Sequence, residues 1–309
     1  MIRKLLYKSV GLGLNLWALA APRAAGTAAY RLFGRPSKPV LRPKEADFLA
    51  TAQQVRSRID AYPVVEYHWG PADGPLVLLS YGWAYNAGRW RHFVPGLVEA
   101  GFHVVAYDPP GHGLNESGTL NLAANSQIQQ GLIEKYGPVY AVLAHSFGGA
   151  TAVYTLSQLP ANHLPKRMVL MASFSSAPRI FADYRRHLGL WQYTYRQMIA
   201  VLEGKIGVSI QHFDMARLSA ELGRTEALLV HAPDDAVTPF SNALRYQRYW
   251  PGSALWRAEG GGHHLGTSEI TEGIIQFIAE GNLPEAAEPG ELVLNAQHDL
   301  VRYFAGMEV

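Results

Sequence analysis

The ten residues AVLAHSFGGA, residues 141–150, join an apolar run to a pair of glycines through a histidine and a serine. Residues 141–144 have the continuous apolar character of a buried strand, and a helix is predicted from Gly148 to Gln158. A serine on a sharp turn between strand and helix projects its hydroxyl above the sheet, near the positive end of the helix. This stretch therefore predicts Ser146 as a nucleophile at the edge of an α/β sheet.

The rest of the chain repeats this alternation of short apolar strands and helical patterns. The predicted strands are YPVVEYHWG, GPLVLLS, GFHVVAYD, AVLAHS, RMVLMAS, ALLVHA and SALWRAE. Helical patterns follow most of them, and residues 46–58 also have helical apolar spacing. Because strands that alternate with helices form βαβ units, the expected fold class is α/β, with a mostly parallel central sheet flanked by helices.

Composition excludes several kinds of chemistry. The 309 residues are 48% hydrophobic and 17% charged, which is typical of a globular protein. There is no cysteine, so disulfides, thiolate zinc sites and a cysteine nucleophile are all excluded. The histidines form no helical His-x-x-x-His pair and no glycine-rich phosphate loop opens a helix, so we expect neither a metal nor a cofactor.

Charge is distributed unevenly along the chain. Residues 1–44 contain nine Lys or Arg and no Asp or Glu, whereas the remainder carries 18 basic and 25 acidic residues. After residue 44 there is no basic stripe, zinc finger or aromatic RNA platform, so no nucleic-acid partner is expected. A cationic segment on an anionic body favours surface binding, and we expect peripheral membrane contact through residues 1–44.

The first 45 residues form an N-terminal arm and linker for which three interpretations stay open. SVGLGLNLWALAA, residues 9–21, is an uncharged apolar run too short for a typical span. It is compatible with a signal peptide cleaved near Ala18-Leu19-Ala20, with a helix on a membrane surface, or with a helix packed on the body. The expected location is cytoplasmic with membrane association, and export through a signal peptide is the alternative.

Two later strands end in residues that would complete a catalytic triad with Ser146. Asp234 and Asp235 directly follow ALLVHA, and His263 and His264 follow SALWRAE in a glycine-rich turn. A serine needs a base to take its proton and an acid to orient that base. The order Ser, Asp, His, with each residue at a strand end, matches this requirement.

These segments together resemble the α/β-hydrolase superfamily over roughly residues 60–280. The resemblance rests on LLSYGW, AYDPPGHG, AHSFGG, HAPDDAVTP and GGGHH, and on the cap-to-core join FDMARL. It is similar in particular to bacterial members with a helical N-terminal arm. The resemblance implies Ser146 as nucleophile, Asp235 as acid and His263 as base, with Asp234 and His264 as the alternatives.

The resemblance also implies an oxyanion hole built from two backbone N–H groups. One belongs to Phe147, directly after the nucleophile, and the other to Trp83 in the loop after LVLLS. The chain has Tyr81 where the family usually has histidine, and because the donors are backbone N–H groups this replacement does not by itself remove the hole. Asp108 and His112, in DPPGHGLNESG, are expected to support turns and not to take part in chemistry.

Residues 174–222 form a long insertion between two core strands and are rich in aromatic side chains. We expect a helical cap here, with Tyr81, Trp191 and Tyr193 contacting the substrate. The expected division is an arm (1–45), a core (46–173), the cap (174–222), a second core part (223–280) and a C-terminal extension (281–309). Residues 292–304 have enough apolar residues for a docking helix, and the oligomeric state is left open.

The function expected from these residues is a cofactor-independent serine hydrolase, a carboxylesterase or lipase-like enzyme acting on a small hydrophobic ester. The same triad would also serve thioester, lactone, C–C bond or perhydrolase chemistry. An alternative of another class is a non-catalytic ligand-binding protein on the hydrolase fold.

Overall fold

The computed structural model describes residues 2–36, 40–115 and 118–290, with the side chains of residues 2–4 left out. Its nine-stranded sheet has the order β1-β2-β4-β3-β5-β6-β7-β8-β9. The strands are β1 (Gln53–Ile59), β2 (Tyr62–Trp69), β3 (Leu76–Ser80), β4 (His103–Asp108), β5 (Val139–His145), β6 (Arg167–Met171), β7 (Glu226–His231), β8 (Ser253–Arg257) and β9 (Ala287–Pro289). From β4 to β8 all neighbours pair in parallel, whereas β1, β2 and β9 pair antiparallel at the two edges.

Helices cover both faces of this sheet. They are α1 (Ile2–Ala20), α2 (Pro22–Phe33), α3 (Pro43–Leu49), α4 (Val94–Glu99), α5 (Leu122–Tyr136), α6 (Phe147–Ser157), α7 (Ala177–Leu188), α8 (Gln192–Ile206), α9 (Met215–Leu218), α10 (Ser241–Tyr249) and α11 (Ser268–Glu280). One core cluster packs α5, α6 and α10 on the sheet and continues into α7 and α8. The second lies on the opposite face, beneath α3, α4 and α11. The expected α/β fold with its mostly parallel sheet is confirmed.

The central strands are apolar because both of their faces are covered. All five residues of β3 and all five of β6 are buried. In antiparallel β1, at the edge of the sheet, only Ile59 is buried and the other positions alternate between exposed and half-buried. A strand covered by helices on both sides loses the alternation that a one-sided strand shows.

The predicted helix over residues 46–58 is wrong in its second half. Helix α3 ends at Leu49, and β1 pairs with β2 along its whole length, from Gln53 opposite His68 to Ile59 opposite Tyr62. A tight turn closes this hairpin, with Asp60 at a φ of 50°. Hairpin pairing therefore overrides the helical spacing.

The short strand β9 lies within the segment expected to be a C-terminal extension. It pairs antiparallel with β8, Trp256 opposite Ala287, and extends the sheet by one strand. The docking helix expected at residues 292–304 lies outside the described residues.

The first two helices lie along the inserted helices α7 and α8. The face of α1 that contains Gly11 approaches so closely that a Cβ at this glycine would lie 1.9 Å from the Leu188 carbonyl oxygen. Asn15 is buried, its Nδ2 donates to the Gly189 carbonyl oxygen at 2.9 Å, and its Oδ1 accepts from the Trp191 N–H at 2.8 Å. Among the described helices, none is both long enough and apolar enough to cross a bilayer.

Candidate active site

Ser146 occupies a strained turn between β5 and α6. Its φ of 53° and ψ of −121° lie outside the regions that non-glycine residues prefer, at a cost of roughly 1–3 kcal/mol. The turn is held by a hydrogen bond from the Ser146 N–H to the Met171 carbonyl oxygen at 2.9 Å, and by one from Ser173 Oγ to the Ser146 carbonyl oxygen at 3.0 Å. These contacts fix the serine at the carboxyl end of the sheet.

The small residues around Ser146 are required by close packing. A Cβ at Gly148 would lie 2.3 Å from the Tyr81 carbonyl oxygen, so only glycine allows α6 to begin so near the end of β3. A Cβ at Gly82 would lie 3.4 Å from Ser146 Oγ, which places the loop after β3 directly beside the serine hydroxyl. Trp83 is the next residue of this loop, and its ring lies edge-on to that of Phe147, with centroids 5.2 Å apart.

Asp235 and His263 form a hydrogen-bonded pair across the ends of β7 and β8. His263 Nδ1 lies 2.8 Å from Asp235 Oδ2, and the Asp235 side chain is fully buried. Asp235 Oδ1 accepts from the N–H groups of Val237 and Thr238, and its Oδ2 accepts from Thr238 Oγ1 at 2.7 Å. The aspartate is thus fixed by its own loop and orients the imidazole.

The environment of Asp235 keeps it ionised. Burial raises the pKa of a carboxyl group, but here the hydrogen bonds from His231, His263 and Thr238 outweigh that effect. The pKa of Asp235 is therefore held well below its usual range. An ionised aspartate on Nδ1 leaves the opposite nitrogen of His263, Nε2, to exchange protons.

The alternative residues of each pair lie in other environments. Asp234 is exposed and its Oδ1 accepts from the Gly262 N–H at 3.2 Å. The carbonyl oxygen of His264 accepts from Arg89 Nη2 at 2.8 Å. Neither side chain takes part in the hydrogen bond between Asp235 and His263.

Sequence reasoning missed His145 and Arg89, which hold the loop that contains His263. His145 Nε2 donates to the His263 carbonyl oxygen at 2.8 Å, and Arg89 binds the next carbonyl. Burial, with Arg89 and His263 nearby, lowers the pKa of His145 well below its usual range, so this imidazole is neutral at pH 7. The only available signal was the position of His145 before the serine, and nothing in the sequence indicated a contact 118 residues away.

Thr238 and His231 support Asp235 and were also missed. Besides binding the carboxylate, Thr238 Oγ1 lies 2.9 Å from the Ala172 carbonyl oxygen, and its own carbonyl oxygen accepts from His231 Nε2 at 2.7 Å. The spacing of Thr238 three residues after an aspartate was a detectable signal, because Asp side chains commonly bind backbone N–H groups two or three residues on.

Asp108 organises the loop that contains Gly82 and Trp83. It is fully buried and accepts four hydrogen bonds, from the hydroxyls of Tyr67 and Tyr81 at 2.7 Å each, and from the N–H groups of Ala87 at 2.9 Å and Leu114 at 2.8 Å. His112 is buried with its Nδ1 3.1 Å from the Pro110 carbonyl oxygen. Both side chains therefore support turns.

A cavity of about 280 Å³ opens at Ser146. Its walls come from the loop of Trp83, from Phe147, from the inserted helices and from the end of α2. The apolar lining includes Phe33, Phe174, Ile180, Phe181, Leu202 and Phe213. The volume lies just below the usual range for ligand pockets, roughly 300–1,000 Å³.

The expected substrate contacts of Tyr81, Trp191 and Tyr193 are corrected by their positions. The Tyr81 hydroxyl is directed to Asp108, and Trp191 and Tyr193 are about half exposed at the start of α8, next to α1. None of the three lines the cavity at Ser146. The sequence shows that the insertion is rich in aromatic residues. It does not show which face of α8 lines the cavity, because that depends on the packing of α8 against α2.

Within the described residues, no group of three His, Asp or Glu side chains is arranged to hold a metal ion. The polar groups at this end of the sheet are the Ser146 hydroxyl, the imidazole of His263, the carboxylate of Asp235 and backbone N–H groups. This combination can activate a hydroxyl and stabilise a developing oxyanion.

Comparison with known proteins agrees with the fold. The family model described as alpha/beta hydrolase family matches residues 76–269. The chain is 24% identical over 225 residues to the bifunctional esterase/perhydrolase of Acinetobacter calcoaceticus, covering 59% of this chain and 82% of that protein. It is also 24% identical over 259 residues to a putative carbamate hydrolase of Variovorax paradoxus, covering 70% and 96%.

Among solved structures, a putative lipase of Acinetobacter baumannii superimposes with a TM-score of 0.56 at 17% identity, covering 76% of this chain and 93% of that one. At this identity the likeness concerns the fold alone. The family match spans well over half of the chain and contains Ser146, Asp235 and His263. This chain belongs to the alpha/beta hydrolase family.

Proposed function

We propose that this chain is a serine hydrolase that cleaves carboxylic esters with an apolar acyl group. The observation that carries the proposal is the hydrogen bond between Asp235 and His263 at the same end of the sheet as the strained Ser146, which lines an apolar cavity. A serine with a base that is oriented by a carboxylate is what acyl transfer requires, and an apolar cavity suits an apolar acyl group.

The reaction follows from these positions. Ser146 Oγ attacks the ester carbonyl carbon while His263 Nε2 takes the hydroxyl proton, and Asp235 stabilises the resulting imidazolium. The tetrahedral intermediate collapses, the ester C–O bond breaks, and the leaving alcohol receives the proton from His263. Water then attacks the acyl-enzyme by the same proton route, which releases the acid and restores Ser146.

The backbone stabilises the negative charge that develops on the carbonyl oxygen. The Phe147 N–H lies in the first turn of α6, where N–H groups have no partner within the helix. The Trp83 N–H belongs to the loop that touches Ser146 through Gly82. Two such donors supply a large part of the rate enhancement in enzymes of this kind, and losing one typically costs 10²–10³-fold in kcat.

Hydrolysis of p-nitrophenyl esters by the Ser146→Ala variant tests this proposal. We expect activity to fall by several orders of magnitude with the melting temperature nearly unchanged, because the hydroxyl contributes little packing. Ser157→Ala is the matched control, because Ser157 is the last residue of α6 and does not line the cavity. This variant should retain wild-type activity. Near-wild-type turnover by Ser146→Ala would contradict the proposal.

Perhydrolysis is a second candidate, favoured by the esterase/perhydrolase among the relatives. In that reaction hydrogen peroxide replaces water at the acyl-enzyme and releases a peracid. Peracid formation from an acyl ester and hydrogen peroxide, absent in Ser146→Ala, would support it. Hydrolysis without any detectable peracid would reject it and leave the esterase proposal intact.

A further inference from the structure

Helix α1 exposes large apolar side chains on the side turned away from the protein. Its inward face contains Gly11, Leu14, Asn15 and Ala18, and the polar Asn15 is bonded to the backbone at both ends of its amide. Its outward face is mostly apolar, although Ser9 is also exposed, as is Lys8, whose Nζ donates to the Arg186 carbonyl oxygen at 2.6 Å. The leucines at positions 5, 6, 12, 16 and 19 are each 51–71% exposed, and Trp17 is 46% exposed.

These exposed residues form a mostly apolar stripe, which also contains the exposed Ser9 and Gly13. At 100° per residue, Leu5, Leu12, Leu16 and Leu19 fall within a narrow sector of the helix, and Leu6 and Trp17 extend it along one side. Surface hydrophobic residues that occur singly need no explanation, but a contiguous apolar face marks an interaction site. We call this stripe the outer face of α1.

The charge beside the outer face indicates its partner. Arg31 and Arg35 are exposed and line an open groove with Trp17 and Leu32, between the outer sides of α1 and α2. Residues 1–44 carry nine basic residues and no acidic one, although the rest of the chain is anionic overall. A partner that complements this segment has to offer both apolar area and negative charge. An anionic lipid bilayer offers both.

We propose that the N-terminal helices α1 and α2 dock the protein on an anionic membrane surface, with the outer face of α1 in the interface and the basic residues at the lipid headgroups. The helix lies flat because its inward face is fixed to the inserted helices through Gly11 and Asn15. An amphipathic helix with basic residues and with Trp and Leu on its apolar side inserts in this orientation, its apolar face roughly 5–10 Å deep.

Docking would bring the cavity close to the lipid. Phe33, the last residue of α2, lines the cavity at Ser146, and its ring contacts that of Phe181 with centroids 4.4 Å apart. The same helix therefore forms part of the membrane-facing surface and part of the acyl site. This consequence rests on the proposed esterase function, whereas docking itself does not.

Co-flotation of the full chain with vesicles tests docking independently of catalysis. The probes are phosphatidylcholine vesicles with 30% phosphatidylglycerol and vesicles of phosphatidylcholine alone, at low and high salt. We expect the wild-type chain to float with the anionic vesicles at low salt, to be partly released at high salt, and to bind neutral vesicles at least tenfold more weakly.

Two variants and two matched controls assign the binding. Two double variants, Leu12→Gln/Leu16→Gln and Arg31→Gln/Arg35→Gln, should each bind anionic vesicles at least tenfold more weakly. The first loses apolar area that docking would bury, and the second loses positive charges that would face the anionic headgroups. Leu244→Gln and Arg224→Gln change an exposed leucine and an exposed arginine elsewhere and should bind like the wild type. All four should keep wild-type melting temperatures and wild-type turnover of a short, soluble ester.

Several outcomes would overturn the proposal. One is a folded wild-type chain that does not bind anionic vesicles at low salt, and another is undiminished binding by the two test variants. A third is a dimer in solution that Leu12→Gln/Leu16→Gln dissociates while vesicle binding is absent, which would assign the outer face to a second copy. Loss of vesicle binding by the two test variants, with normal ester turnover, would support docking. Absent turnover in the wild type and in every variant would contradict only the esterase proposal.

Discussion

At the scale of single residues, only one member of each adjacent pair takes part in the Asp–His hydrogen bond. Asp235 is buried and holds His263 at 2.8 Å, whereas Asp234 is exposed and binds the backbone of Gly262. A one-residue shift in either loop would exchange these environments. Substitutions at the two members of each pair should therefore differ sharply in their effect on kcat.

We expect Asp235→Asn and His263→Ala to lower kcat for ester hydrolysis by several orders of magnitude, with KM much less affected. Asp234→Asn and His264→Ala, which change the adjacent residues to the same types, should stay within about tenfold of wild type. Steady-state kinetics on p-nitrophenyl butyrate measures the difference. A deeper loss in His264→Ala than in His263→Ala would assign the base to His264.

At the scale of elements, the packing of the inserted helices decides which side chains meet the substrate. Ile180 and Phe181 of α7 and Leu202 of α8 line the cavity, whereas Trp191 and Tyr193 lie outside it beside α1. Because a hydrophobic pocket discriminates between acyl groups through its shape, the lining residues should control chain-length preference.

Phe181→Ala enlarges the cavity and should move the preferred acyl chain to longer esters, changing the ratio of kcat/KM between octanoate and butyrate by roughly tenfold or more. Tyr193→Ala, an aromatic residue of the same insertion outside the cavity, is the control and should leave that ratio unchanged. The two ratios come from one series of p-nitrophenyl esters. An altered ratio in Tyr193→Ala, with none in Phe181→Ala, would contradict the assignment of the acyl site.

The sequence was informative where chain order and chemistry coincide. The alternation of apolar strands and helices predicted the parallel sheet, and the turn AHSFGG predicted the strained position of Ser146. It was uninformative where a contact joins distant segments. The hairpin that makes β1 a strand, the inward face of α8, and the bond from His145 to the His263 carbonyl oxygen all depend on partners remote in sequence.

At the scale of the whole molecule, a buried ionic cluster joins the antiparallel edge to the helices. Glu66 of β2 is fully buried, accepts from Lys135 Nζ at 2.8 Å and is also bound by Ser57 and Tyr136. Burial raises the pKa of its carboxyl group, but His68, Lys135, Ser57 and Tyr136 outweigh burial and lower that pKa to about 2. The folded state therefore stabilises the ionised form of Glu66 more than the unfolded state does.

This shift predicts how the free energy of unfolding depends on pH. A carboxyl group whose pKa is lower in the folded state stabilises the fold above its unfolded pKa, near 4.5, and this contribution is lost as pH falls toward 2. A shift of this size corresponds to roughly 3 kcal/mol. Glu66→Gln should be less stable than wild type at pH 6, and the difference should narrow as pH falls to 3.

Urea unfolding at several pH values measures that difference, and Glu99→Gln, on the surface at the end of α4, is the control. We expect the control to follow wild type at every pH. A difference between Glu66→Gln and wild type that stays constant from pH 6 to pH 3 would contradict the role assigned to the Glu66 carboxylate.

The central claim, that Ser146 is an activated nucleophile, is tested most directly by labelling with a fluorophosphonate and measuring the intact mass and the modified peptide. We predict one adduct per chain, on Ser146, formed rapidly by the wild-type protein, abolished in Ser146→Ala and greatly slowed in His263→Ala. A folded wild-type chain that is not labelled, or a label that persists in Ser146→Ala, would contradict the account and favour a binding protein on the hydrolase fold.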